Sequence, residues 1–142
     1  AGDPTDDDER LALRLAEEFP TAVRVSNFSD PCEAKSYISG LDFLVAARMH
    51  ACIAAFSSGT PVVPVSYSRK FSGLFGLLDY DHVLPMQGVT EDGAVRQVLE
   101  AIENRTELGR AEASGMKKVD ALLNVYRSAL TDVFSEALHR RT

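Results

Sequence analysis

The residues best suited to chemistry stand in a stretch without carboxylates. From Phe43 to Leu78 there is no Asp or Glu, while Arg48, His50, Arg69 and Lys70 are present. Arg48-Met49-His50 directly follows the apolar run Asp42-Phe-Leu-Val-Ala-Ala47, and Tyr67-Ser-Arg-Lys70 directly follows Pro61-Val-Val-Pro-Val-Ser66. A guanidinium grips a carboxylate or phosphate with its planar fork, and an ammonium adds a compact charge suited to phosphate. An imidazole, with an ordinary pKa near ~6.5, moves protons at neutral pH. The set describes binding of a small anion with acid–base chemistry at His50. His82, at the start of a strand-like run, and His139, in the last helical segment, read as structural or solvated.

Both apolar runs have strand length and no alternation, as expected for strands buried on two faces. The segments around them predict helices over 5–19, 30–40, 48–56, 68–78, 90–104 and about 106–139, and further short strands over 22–26 and 82–85. Helix 90–104 carries Val95, Val98, Leu99 and Ile102, and the terminal helix a stripe through Val119, Leu122, Leu123, Tyr126, Leu130, Val133 and Phe134. Alternation of this kind predicts an α/β fold, a parallel sheet of about four strands with helices on both faces. Strand C-termini then open on one edge, where ligands bind. Cations at the first turns of the helices after 47 and 66 oppose the helix dipole, which a ligand anion between them would explain. An apolar core also excludes carboxylates, so the acid-free stretch has a second explanation. Tyr67 either lines the pocket or caps the core, and Gly73 serves close approach of a ligand or of a packed helix.

Length and composition set the limits. The chain has 142 residues, 45% apolar and 25% charged, with net charge −6. This fits one globular domain over 1–142 and excludes a disordered tail, a disulfide mini-protein and an isolated nucleic-acid binder. Residues 1–18 hold seven carboxylates against Arg10 and Arg14, so five of the six net negative charges lie there, as a solvated helix start with Thr5 as its cap. Cys32 and Cys52 lack CxxC spacing, so no disulfide framework or zinc site is expected and a reducing, cytoplasmic compartment fits. No run reaches the ~20 apolar residues of a membrane span. The chain opens on Ala1 in a loop-like segment and reads as a piece of something longer.

The pattern Asp42, apolar run, Arg48-x-His50-Ala51, helix, Gly59-x-Pro61, apolar strand, Tyr67-x-x-Lys70-x-x-Gly73 resembles the C-terminal half of the polysaccharide pyruvyl transferase family. The resemblance implies a Rossmann-like domain, the C-terminal half of a two-domain GT-B-type fold whose N-terminal domain the chain lacks. It implies transfer of the pyruvyl group of phosphoenolpyruvate onto a sugar hydroxyl as a ketal in cell-surface polysaccharide synthesis. The acceptor would be a saccharide or lipid-linked saccharide, and the setting the bacterial cytoplasm, peripheral at the membrane. By that pattern Arg48, Met49 and His50 would contact phosphoenolpyruvate, Met49 through its backbone. His50 would be the general acid or base, and Lys70 and Tyr67 further substrate contacts. No metal or cofactor is implied. The fragment is expected to be inactive alone, and its terminal helix to pack partly against the absent N-terminal half, which in isolation exposes apolar surface and favours homo-oligomers. The alternatives are a GT-B nucleotide-sugar glycosyltransferase, against which the missing carboxylate speaks, and a noncatalytic anion-binding or assembly domain.

Overall fold

The computed structural model describes residues 8–139, with side chains through residue 136. The chain divides into two compact units, Ala1–Pro31 and Cys32–Thr142. In the first, α1 spans Asp8–Glu18 with Asp8 and Glu9 in its first turn and no buried residue. The expected cap Thr5 lies outside the described residues. Residues 22–26, expected as a strand, form none and are exposed throughout. Val23 is 88% exposed, and Arg24 pairs with Glu9 at 3.1 Å. Local apolar content cannot make a strand where no neighbour offers a ladder.

The second unit carries α2 (Pro31–Ile38), β1 (Leu44–Ala46), α3 (Met49–Ser58), β2 (Val62–Ser66), α4 (Arg69–Leu77), β3 (Leu84–Pro85), α5 (Glu91–Glu103) and α6 (Arg105–His139). The class is α/β as expected, but the sheet has three strands among the described residues rather than about four, in the order β1-β2-β3. All pairs are parallel, with Ala46 opposite Pro64 and Ser66 opposite Pro85.

Alternate residues of β2 serve opposite faces, as the pleat requires. Val62 packs with Cys52, Ala55 and Phe56 of α3 and Phe71 and Phe75 of α4, whereas Val63 joins Leu84 and Leu108, backed by Ala94, Val98 and Ala101 of α5. Helices therefore cover both faces, and α3 and α4 share one, as same-handed crossovers between successive neighbours dictate. On α5 the sheet receives the smaller side of the helix. Val95 and Leu99, expected inward, are more than half exposed. Gly59 ends α3 with φ of 76°, a left-handed cap that favours glycine, and the buried Thr60 hydroxyl donates to the Ile38 carbonyl at 2.9 Å, tying α2 to the start of β2. Among the described residues no helix is long and apolar enough to cross a membrane.

The sequence signals missed how β2 is completed. Strand β3 is two residues long, and by its register the nitrogen of Pro64 faces the His82 carbonyl without a proton to give. Below that point side chains take over. The Val62 amide donates to Glu112 Oε1 of α6 at 2.9 Å, and the Tyr80 hydroxyl donates to the Val62 carbonyl at 2.5 Å. Glu112 is 1% exposed, and its Oε2 has no hydrogen-bond partner. Burial pushes its carboxyl up to about 7, against the smaller opposing effect of the Val62 and Tyr80 hydrogen bonds.

Three residues further along α6, Gly115 lies close to Phe56. A Cβ there would stand 2.6 Å from Phe56 Cζ and 3.2 Å from the Leu78 carbonyl oxygen. The Phe56 ring is buried and set edge-on against Phe75 and Tyr80, so it cannot swing aside. Gly115→Ala is expected to lower stability by about 1–3 kcal/mol, overriding the roughly 1 kcal/mol by which alanine favours a helix over glycine. Urea unfolding reads the result, and a more stable variant would contradict the packing described.

Candidate functional site

Strand register alone brings the expected residues to one edge. Ala46 is level with Pro64 and Ser66 with Pro85, so Arg48, two residues beyond Ala46, leaves the sheet at the level of Ser66. Neighbouring parallel strands lie about 4.8 Å apart. The turn holding Arg48, Met49 and His50 and the turn holding Tyr67, Arg69 and Lys70 are therefore adjacent at the C-terminal edge. The segment after β3 joins them, with the Met86 amide donating to the Ser66 carbonyl at 2.9 Å.

The helices entering from this edge differ from the others. Acids stand in the first turns of α1, α2, α5 and α6, where they complement the positive end of the dipole. Neither α3 nor α4 has one. Thr90 caps α5 by accepting from the Gly93 amide at 3.2 Å, but Arg48 and Ser68, the N-cap residues of α3 and α4, make no side-chain cap hydrogen bond. The first-turn positions instead hold His50 on α3 and Arg69 and Lys70 on α4. Two helix ends thus point backbone N–H groups at one edge with cations beside them, an arrangement that attracts anions.

Each expected residue has a definite place. Arg48, in extended conformation with φ of −86° and ψ of 118°, is exposed. Met49 turns inward against the core, which leaves its backbone rather than its side chain facing the edge. His50 is exposed in the first turn of α3. Tyr67 is 59% exposed with its ring edge-on to Phe71 at 5.4 Å, so it both covers the core and lines a cleft. That cleft, of about 330 Å³, is bounded by Ser66, Tyr67, Ser68, Arg69, Ser72, Pro85 and Gln87. Lys70 is exposed and is not among its lining residues, where Arg69 stands in its stead. Gly73 is exposed with open space where a Cβ would sit, so no helix packs closely against it.

The cleft serines and Gln87 escaped the sequence reading. Ser66 and Ser68 are linked, the Ser66 hydroxyl donating to the Ser68 carbonyl at 3.1 Å, which shapes the turn before α4. A signal existed in Ser-x-Ser at a strand-to-helix junction, and Gln87, two residues past β3, stands at the level of Ser68 by the strand register. Cys52 is buried against the Ala46 carbonyl, and burial pushes its thiol up to about 11, which makes it a packing residue. His82 stacks edge-on against Tyr80 at 5.1 Å, away from this edge. Among the described residues no cluster of three or more His, Cys, Asp or Glu is placed to hold a metal ion.

No curated protein and no solved structure shows a significant match to the chain. With Arg48, Met49, His50 and Tyr67 all inside the matched segment and Lys70 one residue beyond it, residues 1–69 match the polysaccharide pyruvyl transferase family.

Proposed function

We propose that this edge is the phosphoenolpyruvate-binding wall of a pyruvyl transferase, the C-terminal half of a GT-B-type cleft whose other wall and acceptor site come from an N-terminal domain. The observation that carries the reading is the pair of adjacent helix starts, acid-free and cationic, at one level of a parallel sheet. The family match over residues 1–69 supports it.

The chemistry follows from the residues. Phosphoenolpyruvate brings a carboxylate and a phosphate, and Arg48 with Arg69 or Lys70 offers a cation to each while the α3 and α4 amides add donors. Protonation of the methylene carbon turns the adjacent carbon into an electrophile stabilised by its oxygen substituent. One sugar hydroxyl adds there and gives up its proton, phosphate leaves with the C–O bonding pair, and a second hydroxyl closes the ketal. His50 is the group at this edge able to deliver or receive those protons. The acceptors are saccharides or lipid-linked saccharides of a cell-surface polymer, handled on the cytoplasmic side.

Calorimetric titration separates this reading from a nucleotide-sugar transferase. The chain is expected to bind phosphoenolpyruvate, and Arg48→Ala to weaken that binding by about 10- to 100-fold, the worth of a charged hydrogen-bond pair of about 1.5–3 kcal/mol. Binding of UDP-sugars with no response to phosphoenolpyruvate would overturn the reading.

A further inference from the structure

Helix α6 continues past the domain it packs on. Leu108, Glu112 and Gly115 are buried and Met116 and Val119 half-buried, but every residue from Asp120 to Glu136 is exposed. Its apolar pattern does not stop there. Met116, Val119, Leu123, Tyr126, Leu130 and Val133 follow one another in steps of three and four, a 3.5-residue period that marks the seam of a coiled coil. Leu122 and Phe134 flank the seam, and Leu122, Tyr126, Val133 and Phe134 are each about 60% exposed. The free part of the stripe is a contiguous run of exposed large apolar side chains, of the kind that marks an interaction surface rather than scattered surface residues.

We propose that α6 pairs with α6 of a second copy, antiparallel, with the two-fold axis passing between the layers in which Leu123 of each copy meets Tyr126 of the other. Three observations fix this occupant and direction. First, the same register sets Leu130 of the second copy on Val119 and its Val133 on Met116. Those two residues form one wall of an apolar groove of about 220 Å³, whose other lining includes Ile53, Leu74 and Leu78. Each copy thus carries both a groove and the side chains to fill it, the self-complementarity a two-fold interface requires. Second, Asp120 and Arg127 lie on the same flank of the seam, seven residues apart. In an antiparallel pair like flanks face each other, so Asp120 of each copy meets Arg127 of the other. A parallel pair would turn both toward the flank of Leu122 and Ala129. Third, the domain is packed around the first half of α6. An antiparallel pair puts the two domains at opposite ends, whereas a parallel pair forces them into the same space.

Sedimentation equilibrium of the 142-residue chain tests the pairing. The expected species has twice the 15.5 kDa chain mass. Tyr126→Glu, at an exposed position beyond the core, is expected to give a monomer with unchanged melting temperature. Asp120→Arg and Arg127→Asp are each expected to weaken the dimer at least tenfold, about 1.4 kcal/mol, and the double reversal to restore it. A wild-type monomer at tens of micromolar, or a dimer indifferent to Tyr126→Glu, would overturn the proposal. A double reversal as weak as the single ones rejects the antiparallel seam. If the chain instead forms a 1:1 complex with a separately produced N-terminal half, and Tyr126→Glu abolishes it with no dimer found, the stripe belongs to that half and the proposal falls.

Discussion

In a protein carrying both walls of the cleft, His50→Ala is expected to lower kcat by about 10²- to 10⁴-fold, the range contributed by a positioned general acid or base, while KM for phosphoenolpyruvate changes only a few-fold. The split follows from where the side chains stand. Arg48 precedes the first turn of α3 in extended conformation, suited to holding the anion in ground and transition state alike, so its loss falls on KM. His50 lies within that turn and is exposed at the edge, where in the proposed reaction it would serve the reacting carbon rather than the charges that anchor the ligand. His50→Gln retains hydrogen bonding without proton transfer, so its kcat is expected to fall with that of the alanine variant. Phosphate release with a sugar acceptor measures both. An unchanged rate in His50→Ala removes the residue from the mechanism.

The second large effect is thermodynamic and lies at the opposite end of β2. Glu112 titrates at about 7 in the folded chain against a reference of 4.5. Below pH 4.5 both folded and unfolded chains hold the proton. Between 4.5 and 7 the unfolded chain has released it and the folded chain keeps it, so stability falls as pH rises. Above 7 the full penalty applies, about 3 kcal/mol from this residue. The cause is geometric, since Oε1 has the Val62 amide but Oε2 has no partner, and a buried charge so poorly compensated is costly. Glu112→Gln keeps an acceptor for the Val62 amide and cannot ionise. Between pH 5 and pH 8 the wild type is expected to lose about 2.5 kcal/mol more stability than this variant, read by urea unfolding at the two pH values. Equal losses would mean that the native carboxyl is hydrated. Glu112→Ala, which orphans the Val62 amide, should be about 1–3 kcal/mol less stable than Glu112→Gln at either pH.

These two sites also mark where sequence was legible. The run 61–66 announces a strand because both faces of β2 are covered, and 42–47 is as apolar although Val45 of β1 is 40% exposed. Arg48 and His50 are readable because the next helix must begin where such a strand ends. Ala22–Ser26 has strand composition and forms no strand, since pairing depends on a neighbour that local sequence does not encode. Lys70 and Arg69 are adjacent and equally charged, and only the helical phase of α4 decides which lines the cleft. Glu112 could not be found at all. A carboxylate midway along a charged helix reads as solvated, and its burial follows from a strand fifty residues earlier that needs an acceptor.

That dependence orders the folding of the chain. The central strand emerges from the ribosome with its Val62 amide unmet, and the acceptor arrives only with the third turn of α6, fifty residues later. β1, α3 and β2 can associate through near neighbours, but the sheet closes on a contact of long sequence separation, the kind that slows folding. A nascent chain ending before residue 112 holds all three strands and helices α1 to α5 with a buried donor left open. Cooperativity therefore comes late in synthesis and from the far end of the molecule.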